Sequence, residues 1–353
     1  MAEIKVGIVG TGTISNYHAN AYKSLQDVKI HAVYDLNIKR AEDFAQKFAV
    51  EHVYTDFDAM LNDKSLDAVS VCVWNYDHAS VAIKALKAGK HVLCEKPLAI
   101  NLKEAEEIYR VAKECGKVLM VGFVRRFFKN TMVLKEFMDS GDFGDIYFAK
   151  GAYIRRIGNP GGWFADKGRS GGGPLIDLGV HIIDTARYLM GNPAAVTVSG
   201  MTSAGIGARP HIKGTDSYKS ADFKEFCDVE DFCGAMIRFD NGATLWIETS
   251  FSQHIKNDAL SFQIYGTKSG ASLEPKVEIY KEQNGYLVDI APYYNEDQDA
   301  ITEGFKRELA SFIDVVQGKS ECVSPVEDGL EIMRIVDAIY TSANTGREVC
   351  IER

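Results

Sequence analysis

The sequence predicts an α/β chain in two parts: a doubly wound parallel sheet first, then an α+β region built on a large, mostly antiparallel sheet. Three observations predict it. Up to about residue 122, short β-rich apolar runs alternate with amphipathic stretches of helical period. A Gly10-Thr11-Gly12 turn follows the first of those runs and opens the first of those stretches. Beyond Gly122 the alternation gives way to a Gly-dense segment, one apolar helix and a series of strands separated by turns. The length of 353 residues agrees, since domains run to roughly 100–200 residues. We expect one domain at 1–122 and a second at 123–353.

In the first part the expected strands are Ile4–Val9, Ile30–Tyr34, Ala68–Val73, His91–Cys94 and Val118–Val121. Between them lie Ile14–Leu25, Ile38–Ala49, His78–Ala88 and Leu102–Cys115, each with apolar residues near i, i+3 and i+4. Strand, helix, strand at this rhythm argues a parallel sheet covered on both faces, because each parallel crossover needs a helix to return the chain.

In the second part a helix at Thr131–Met138 precedes a strand at Ile146–Ile154. The segment GNPGGWFADKGRSGGG then leads into an apolar helix from about Pro174 to Met190. Strands dominate from Ala194 to about Tyr280, where Met236–Phe239 and Ala243–Phe251 flank Asn241-Gly242, a dipeptide that favours a type I′ hairpin. A meander of this kind leaves one sheet face free for a partner. Helices near Glu303–Val316 and Glu327–Ala343 and a short strand at Glu348–Ile351 close the chain.

Composition narrows the class of function. Forty basic against forty-nine acidic residues give −9, with no block of five like charges, so neither nucleic acid nor an anionic membrane is an expected partner. No apolar run approaches the ~18–20 residues that cross a bilayer. The opening MAEIKVGIVGTG lacks a basic region before an apolar one, so no signal peptide is expected. Seven cysteines without a CxxC pair fit a reducing, cytoplasmic compartment, each expected as a small buried hydrophobe.

The glycine turn has the context of a dinucleotide site. Gly10 permits the tight turn and Gly12 lets backbone approach a pyrophosphate. Thr13 and Ile14 open a helix whose N–H groups and positive dipole end face the phosphates. Ser15 stands where a third glycine is usual. Asp35, twenty residues beyond Ser15, is placed to bind a ribose 2′-hydroxyl and to repel a 2′-phosphate, so NAD is the expected cofactor. Lys39 and Arg40 lie just downstream and could reach a 2′-phosphate, which keeps NADP open.

Two segments offer chemistry. Cys94-Glu95-Lys96-Pro97 ends a short buried strand, where α/β sheets present their ligands, so Lys96 is expected at the crevice. Asp177 and His181 are i, i+4 in a helix whose neighbours Leu175, Ile176, Leu178, Val180, Ile182 and Ile183 are apolar. Two ionisable groups there need partners or a ligand, since burying them unpaired is costly. A hydrogen bond between the two would also satisfy them. No further ligands at metal spacing accompany them, so no metal site is expected.

The sequence is similar to the Gfo/Idh/MocA family of NAD(P)-dependent oxidoreductases over nearly its whole length. The resemblance rests on Gly10-Thr11-Gly12, on Asn75-Tyr76-Asp77-His78 followed by AIKALKAGKHVLCEKPLA, on GFVRRF, on SGGGPLIDLGVHIID and on DAIYTSANTGREV. It implies a Rossmann domain followed by an α/β domain with a large open sheet, often the site of dimer or tetramer formation. It also implies a catalytic set of Lys96, Asp177 and His181, with Asn75 and His78 lining the cofactor. Where the family often has Thr-Pro before that Asn, this chain has Val73-Trp74; Trp74 is expected either to stack on the cofactor or to cover the sheet edge. Glu95, Lys96 and Arg40 complete the expected cofactor positions, and Arg126, Tyr153 and Trp163 are expected substrate or nicotinamide contacts.

The activity implied is oxidation of a secondary hydroxyl of a sugar, sugar derivative or cyclitol, with His181 and Lys96 as the acid–base pair in either division of labour. Two rivals use the same fold: an NAD-dependent glycosidase working by transient oxidation and elimination, and a non-catalytic sensor. Retention of Lys96, Asp177 and His181 counts against the sensor.

Overall fold

The computed structural model describes residues 3–209, 211–213 and 218–352. Its first half runs β1 (Ile4–Val9), α1 (Thr13–Lys23), β2 (Val28–Tyr34), α2 (Ile38–Phe48), β3 (His52–Tyr54), α3 (Phe57–Asn62), β4 (Ala68–Val71), α4 (His78–Lys87), β5 (His91–Glu95), α5 (Leu102–Cys115) and β6 (Leu119–Gly122). The six strands form one parallel sheet in the order β3-β2-β1-β4-β5-β6. The order reverses between β1 and β4, the point at which such sheets open a crevice beyond their carboxyl ends. The short β3 and α3 were not among the expected elements. Three strand residues and six helical ones are too few to display a period.

Caps set the helix starts. Asn37 accepts from Arg40 N at 3.2 Å to open α2, and Asn101 accepts from Glu104 N at 2.9 Å to open α5. In contrast α1 opens at Gly12 with no side-chain cap and no acidic residue in its first turn. Its N–H groups are therefore left for a ligand.

The chain continues with α6 (Lys129–Asp139), β7 (Ile146–Ile154), α7 (Lys167–Ser170), α8 (Val180–Leu189), β8 (Ala195–Ser203), β9 (Phe232–Phe239), β10 (Thr244–Ser250), β11 (Ala259–Gly266), β12 (Ser269–Ser272), β13 (Glu278–Gln283), β14 (Tyr286–Ile290), α9 (Ala300–Val316), α10 (Val326–Thr345) and β15 (Val349–Cys350). Nine strands form a second sheet, β14-β13-β12-β11-β7-β10-β9-β8-β15, antiparallel except where β7 pairs with β10. One face buries Leu245, Ile247, Ile237, Phe262 and Ile264. Gly151 on β7 lets α8 approach that face, since a Cβ there would lie 2.4 Å from Ile182 Cγ2. On the other face Trp246 and Met201 are exposed.

The chain divides into two compact units, 1–127 with 298–330, and 128–297 with 331–353. The sequence reading assigned everything after residue 122 to the second domain, but α9 completes the core of the first. Its Phe305, Leu309, Phe312 and Ile313 join Val6, Ile8, Tyr22, Val33 and Leu93, and Phe305 stacks on Tyr17 of α1 at 5.1 Å.

Two local readings are corrected. At Asn241-Gly242 only Gly242 has a positive φ (+85°), Gly242 N donates to Phe239 O at 3.0 Å and Phe239 N to Ala243 O at 2.9 Å. That is a type I turn closed by a glycine in the left-handed region rather than type I′, which needs positive φ at both central residues. Of the cysteines, Cys72, Cys94 and Cys233 are buried as expected, but Cys350 is exposed and the others are half-buried. Among the described residues no helix is long and apolar enough to cross a membrane.

Candidate active site

In the first unit, a cleft of ≈ 500 Å³ opens at the carboxyl ends of β1, β2 and β4, with Gly10, Gly12, Asp35, Arg40 and Trp74 among its lining. Gly10 has φ +91°, and a Cβ there would sit 2.6 Å from the Cys72 carbonyl oxygen, so only glycine lets the β1 turn pass the β4 loop. A Cβ on Gly12 would meet nothing within 4 Å. The two glycines therefore do different things: Gly10 fits the chain to itself, and Gly12 leaves space over an uncapped helix start. That space, with Thr13 and Ile14 as the first helical residues, fits a dinucleotide pyrophosphate.

Asp35 closes the other end of the cleft. Its Oδ2 accepts from both Thr11 N and Thr11 Oγ at 2.8 Å, and its Oδ1 from Asn37 N at 2.7 Å and Arg40 Nη2 at 2.9 Å. Burial pushes its pKa up, but the N–H groups of Thr11 and Asn37, the Arg40 guanidinium and the Thr11 hydroxyl outweigh it and hold the carboxyl below its ordinary value. Arg40 is thus the partner of Asp35 and, half-exposed, also borders the cleft. Thr11 was not among the expected site residues, though it lies inside the glycine turn. Leu36, 83% exposed at the cleft wall, and Tyr76, whose ring centroid is 6.4 Å from that of Trp74, add apolar surface suited to a base or ring.

Beyond the cleft the other expected cofactor positions are mostly internal. Asn75 is buried in the turn after β4. His78 is 1% exposed, with Nδ1 2.7 Å from Pro97 O and Nε2 3.2 Å from Val73 O. Burial lowers its pKa, and a neutral ring donates from one nitrogen only, so the shorter bond to Pro97 is the one we assign. His78 therefore holds the loop after Lys96 rather than lining the cleft. Glu95 is likewise turned inward, 2.8 Å from the fully buried His18 of α1. His18 was missed because one histidine among the apolar positions of α1 carries no signal of its partner. Lys96, between two inward-facing neighbours at the end of β5, is half-buried.

Arg126, expected as a substrate or nicotinamide contact, is turned inward. It is 1% exposed, its Nη1 lies 2.8 Å from Asp328 Oδ2 and donates to Val323 O at 2.5 Å. A buried guanidinium needs such partners. Its role is to join the turn after β6 to the start of α10, inside the first unit.

In the second unit the Gly-dense segment is a tight packing device. A Cβ on Gly173 would lie 2.3 Å from Glu230 O, and one on Gly172 would lie 1.9 Å from Tyr340 Oη. Glu230 is buried and accepts from Gly173 N at 2.9 Å, Leu175 N at 3.1 Å and Tyr340 Oη at 2.9 Å. Burial raises its pKa against the pull of those three donors. The helix that follows does not begin as an α-helix: Leu175–Gly179 is one π turn, and α8 starts at Val180. Such turns recur at functional sites. In the run 172–187 every side chain is buried except Asp177 and His181. The apolar helix presents those two groups.

The charge of Asp177 acts on a residue the sequence reading passed over, Arg155. Burial works against the charge of Arg155, yet Tyr153 and the Asp177 carboxylate hold its pKa above the ordinary guanidinium value. Arg155 Nη2 donates to Tyr153 Oη at 3.3 Å, and its guanidinium carbon lies 5.2 Å from the ring centroid. Tyr153 and Arg155 thus form one polar pair at the end of β7, under the electrostatic influence of Asp177. Trp163 sits in a separate turn, its backbone N–H donating to Asp222 Oδ1 at 3.3 Å and its ring against Phe164.

The chain was compared with known proteins. Residues 4–123 match the model of an oxidoreductase family's NAD-binding Rossmann fold, and residues 135–351 match the same family's C-terminal alpha/beta domain. A D-glucoside 3-dehydrogenase of Escherichia coli (strain K12) is 36% identical over 349 residues, covering 98% of this chain and 97% of that one. A levoglucosan dehydrogenase of Pseudarthrobacter phenanthrenivorans is 30% identical over 288 residues, covering 76% and 73%. A solved levoglucosan dehydrogenase in complex with NADH and L-sorbose superposes with a TM-score of 0.87 at 26% identity, covering 100% of each chain.

Proposed function

The chain belongs to the Gfo/Idh/MocA family and is an NAD(P)-dependent oxidoreductase, and from that premise we propose that it oxidises a secondary hydroxyl of a sugar, sugar derivative or cyclitol, with NAD as the preferred acceptor. The observation that carries this reading is the pair Asp177 and His181, the two half-buried side chains in the otherwise buried run 172–187. Solvated surface does not need them there, and a polyhydroxylated ligand does. The sugar-acting relatives support the substrate class.

The chemistry asks for two departures from one carbon–oxygen centre: a proton leaves the hydroxyl oxygen and a hydride leaves the carbon. Bound NAD, in its oxidised form, supplies the hydride acceptor. In our reading His181 takes the proton on a ring nitrogen, as a general base. Lys96 donates a hydrogen bond to the same oxygen and stabilises its developing negative charge. Asp177 orients His181 or binds a neighbouring hydroxyl, and Arg155 and Tyr153 hold Asp177 in place. Trp163 remains a proposed substrate contact at lower rank.

We assign cofactor binding to the first unit and substrate binding and self-association to the second. Support for self-association is the sheet face that exposes Trp246 and Met201 beside Lys150 and Gln263. A cytoplasmic location belongs to the same proposal, supported by the seven thiols, all free.

The test is Lys96→Ala and His181→Ala, each assayed with saturating NAD. Turnover falls by at least ~10²-fold in both, while NAD affinity measured separately stays within a few-fold. Wild-type turnover in both variants would remove the pair from the mechanism.

A further inference from the structure

Away from the glycine turn, β2 and the edge strand β3 bring together three side chains that nothing in the dehydrogenase chemistry uses. His31 lies on β2, His52 begins β3 beside Ala32 of β2, and Glu51 precedes it. One ligand atom from each lies within 4.8 Å of the others. The His31 and His52 ring centroids are 4.5 Å apart, and His52 Nε2 is 3.6 Å from Glu51 Oε1.

The state of His31 is what points to a ligand. It is 5% exposed. Its Nε2 lies 2.8 Å from Asp63 Oδ2 and 2.9 Å from Ser65 Oγ, and Asp63 is itself held by Tyr54 Oη at 3.0 Å and Ser65 N at 2.8 Å. A histidine that gives its Nε2–H to a carboxylate keeps a lone pair on Nδ1, and that arrangement is the usual outer support of a metal-binding imidazole. Among the described residues His31 Nδ1 has no hydrogen-bond partner. Buried polar atoms normally have one.

From this we propose a divalent metal site at the β2–β3 edge, in which His31 Nδ1, His52 and Glu51 bind an ion of the zinc, cobalt or nickel class. Two imidazoles and one carboxylate suit such ions, whereas magnesium and calcium take oxygen ligands. Glu51 and His52 are half-exposed, so water completes the coordination. Lys29 Nζ, 2.5 Å from Glu51 Oε2, competes for the carboxylate while leaving Oε1 toward His52. The ion would fasten the three-residue edge strand to the sheet. The proposal is independent of the enzyme's reaction.

The experiment is calorimetric titration of Co²⁺ and Zn²⁺ into the full chain after removal of metals by chelation. The expected result is one ion per chain with micromolar affinity and a cobalt spectrum free of thiolate bands, which separates this site from the cysteines. His52→Ala and Glu51→Gln, both at half-exposed positions, weaken binding by at least ~10-fold with apo melting temperatures unchanged. Lys29→Ala strengthens binding by releasing Glu51. No saturable binding, or the same affinity in His52→Ala, overturns the proposal.

Discussion

One carboxylate oxygen of Asp35 receives both the amide and the hydroxyl of Thr11, each at 2.8 Å, so the residue at the end of β2 is held by the glycine turn at the end of β1. The turn proposed to face the pyrophosphate thereby also fixes the group proposed to read the ribose. Asp35→Ala should weaken NAD by about 10-fold or more and narrow its advantage over NADP, since Arg40 then loses its partner and can turn to a 2′-phosphate. Thr11→Val, which keeps the amide bond, should do the same to a smaller degree. Dissociation constants for both nucleotides check this, and unchanged selectivity in Asp35→Ala would remove it from cofactor choice.

The depressed pKa of Asp35 has a consequence for stability. A carboxyl titrating lower in the folded than in the unfolded chain stabilises the fold above its ordinary value near 3.8, and that contribution is lost as pH falls through the lower folded value. Asp35→Asn should therefore cost on the order of 1–3 kcal/mol at neutral pH, the worth of hydrogen bonds to a charged group. The cost should shrink below about pH 4. Urea midpoints measured across pH 3–7 check the trend.

Gly10 and Gly12 are two residues apart and should fail differently. Gly10→Ala strains a left-handed backbone and drives a methyl against Cys72 O, so it should lower the unfolding midpoint by several kcal/mol equivalent, roughly 2–4. Gly12→Ala meets open space and should cost no more than about 1 kcal/mol, the difference between glycine and alanine at a helix cap. Yet its methyl occupies the phosphate's approach, so NAD affinity should drop at least ~10-fold. Comparing melts with binding isotherms separates the two roles.

Much of this organisation is legible in the sequence, and what is not has physical reasons. The parallel sheet was readable because β1, β4, β5 and β6 are short, mostly apolar runs and α2 and α5 carry strong helical periods under Asn caps. Asp177 and His181 drew attention because they stand out against apolar neighbours, and Lys96 because it follows a short buried strand. The inward turn of Arg126 was hidden because its neutralising partner, Asp328, lies 202 positions away, and no local pattern announces such a pairing. The membership of α9 in the first unit is hidden for the same reason. Gly172 and Gly173 read as a loop, although they are glycines for lack of space against Tyr340 and Glu230. Arg155 drew no attention until the fold set its guanidinium against Tyr153.

Because Arg126 and Asp328 are buried together, removing one strands the other. Arg126→Met should destabilise the fold by about 3–5 kcal/mol, and Arg126→Met combined with Asp328→Leu should recover much of that loss. KM for substrate should stay near wild type in any variant that folds. Denaturant melts of the two single variants and the double check the coupling, and a large KM increase in a stable Arg126 variant would return Arg126 to the substrate site.

The most direct test of the central claim is the yield of reduced nicotinamide per molecule of product, followed by absorbance during turnover on a panel of sugars, glycosides and cyclitols with NAD. The account predicts one NADH for each molecule of ketone formed, lost in both Lys96→Ala and His181→Ala. Release of free sugar from a glycoside with no net NADH would contradict it.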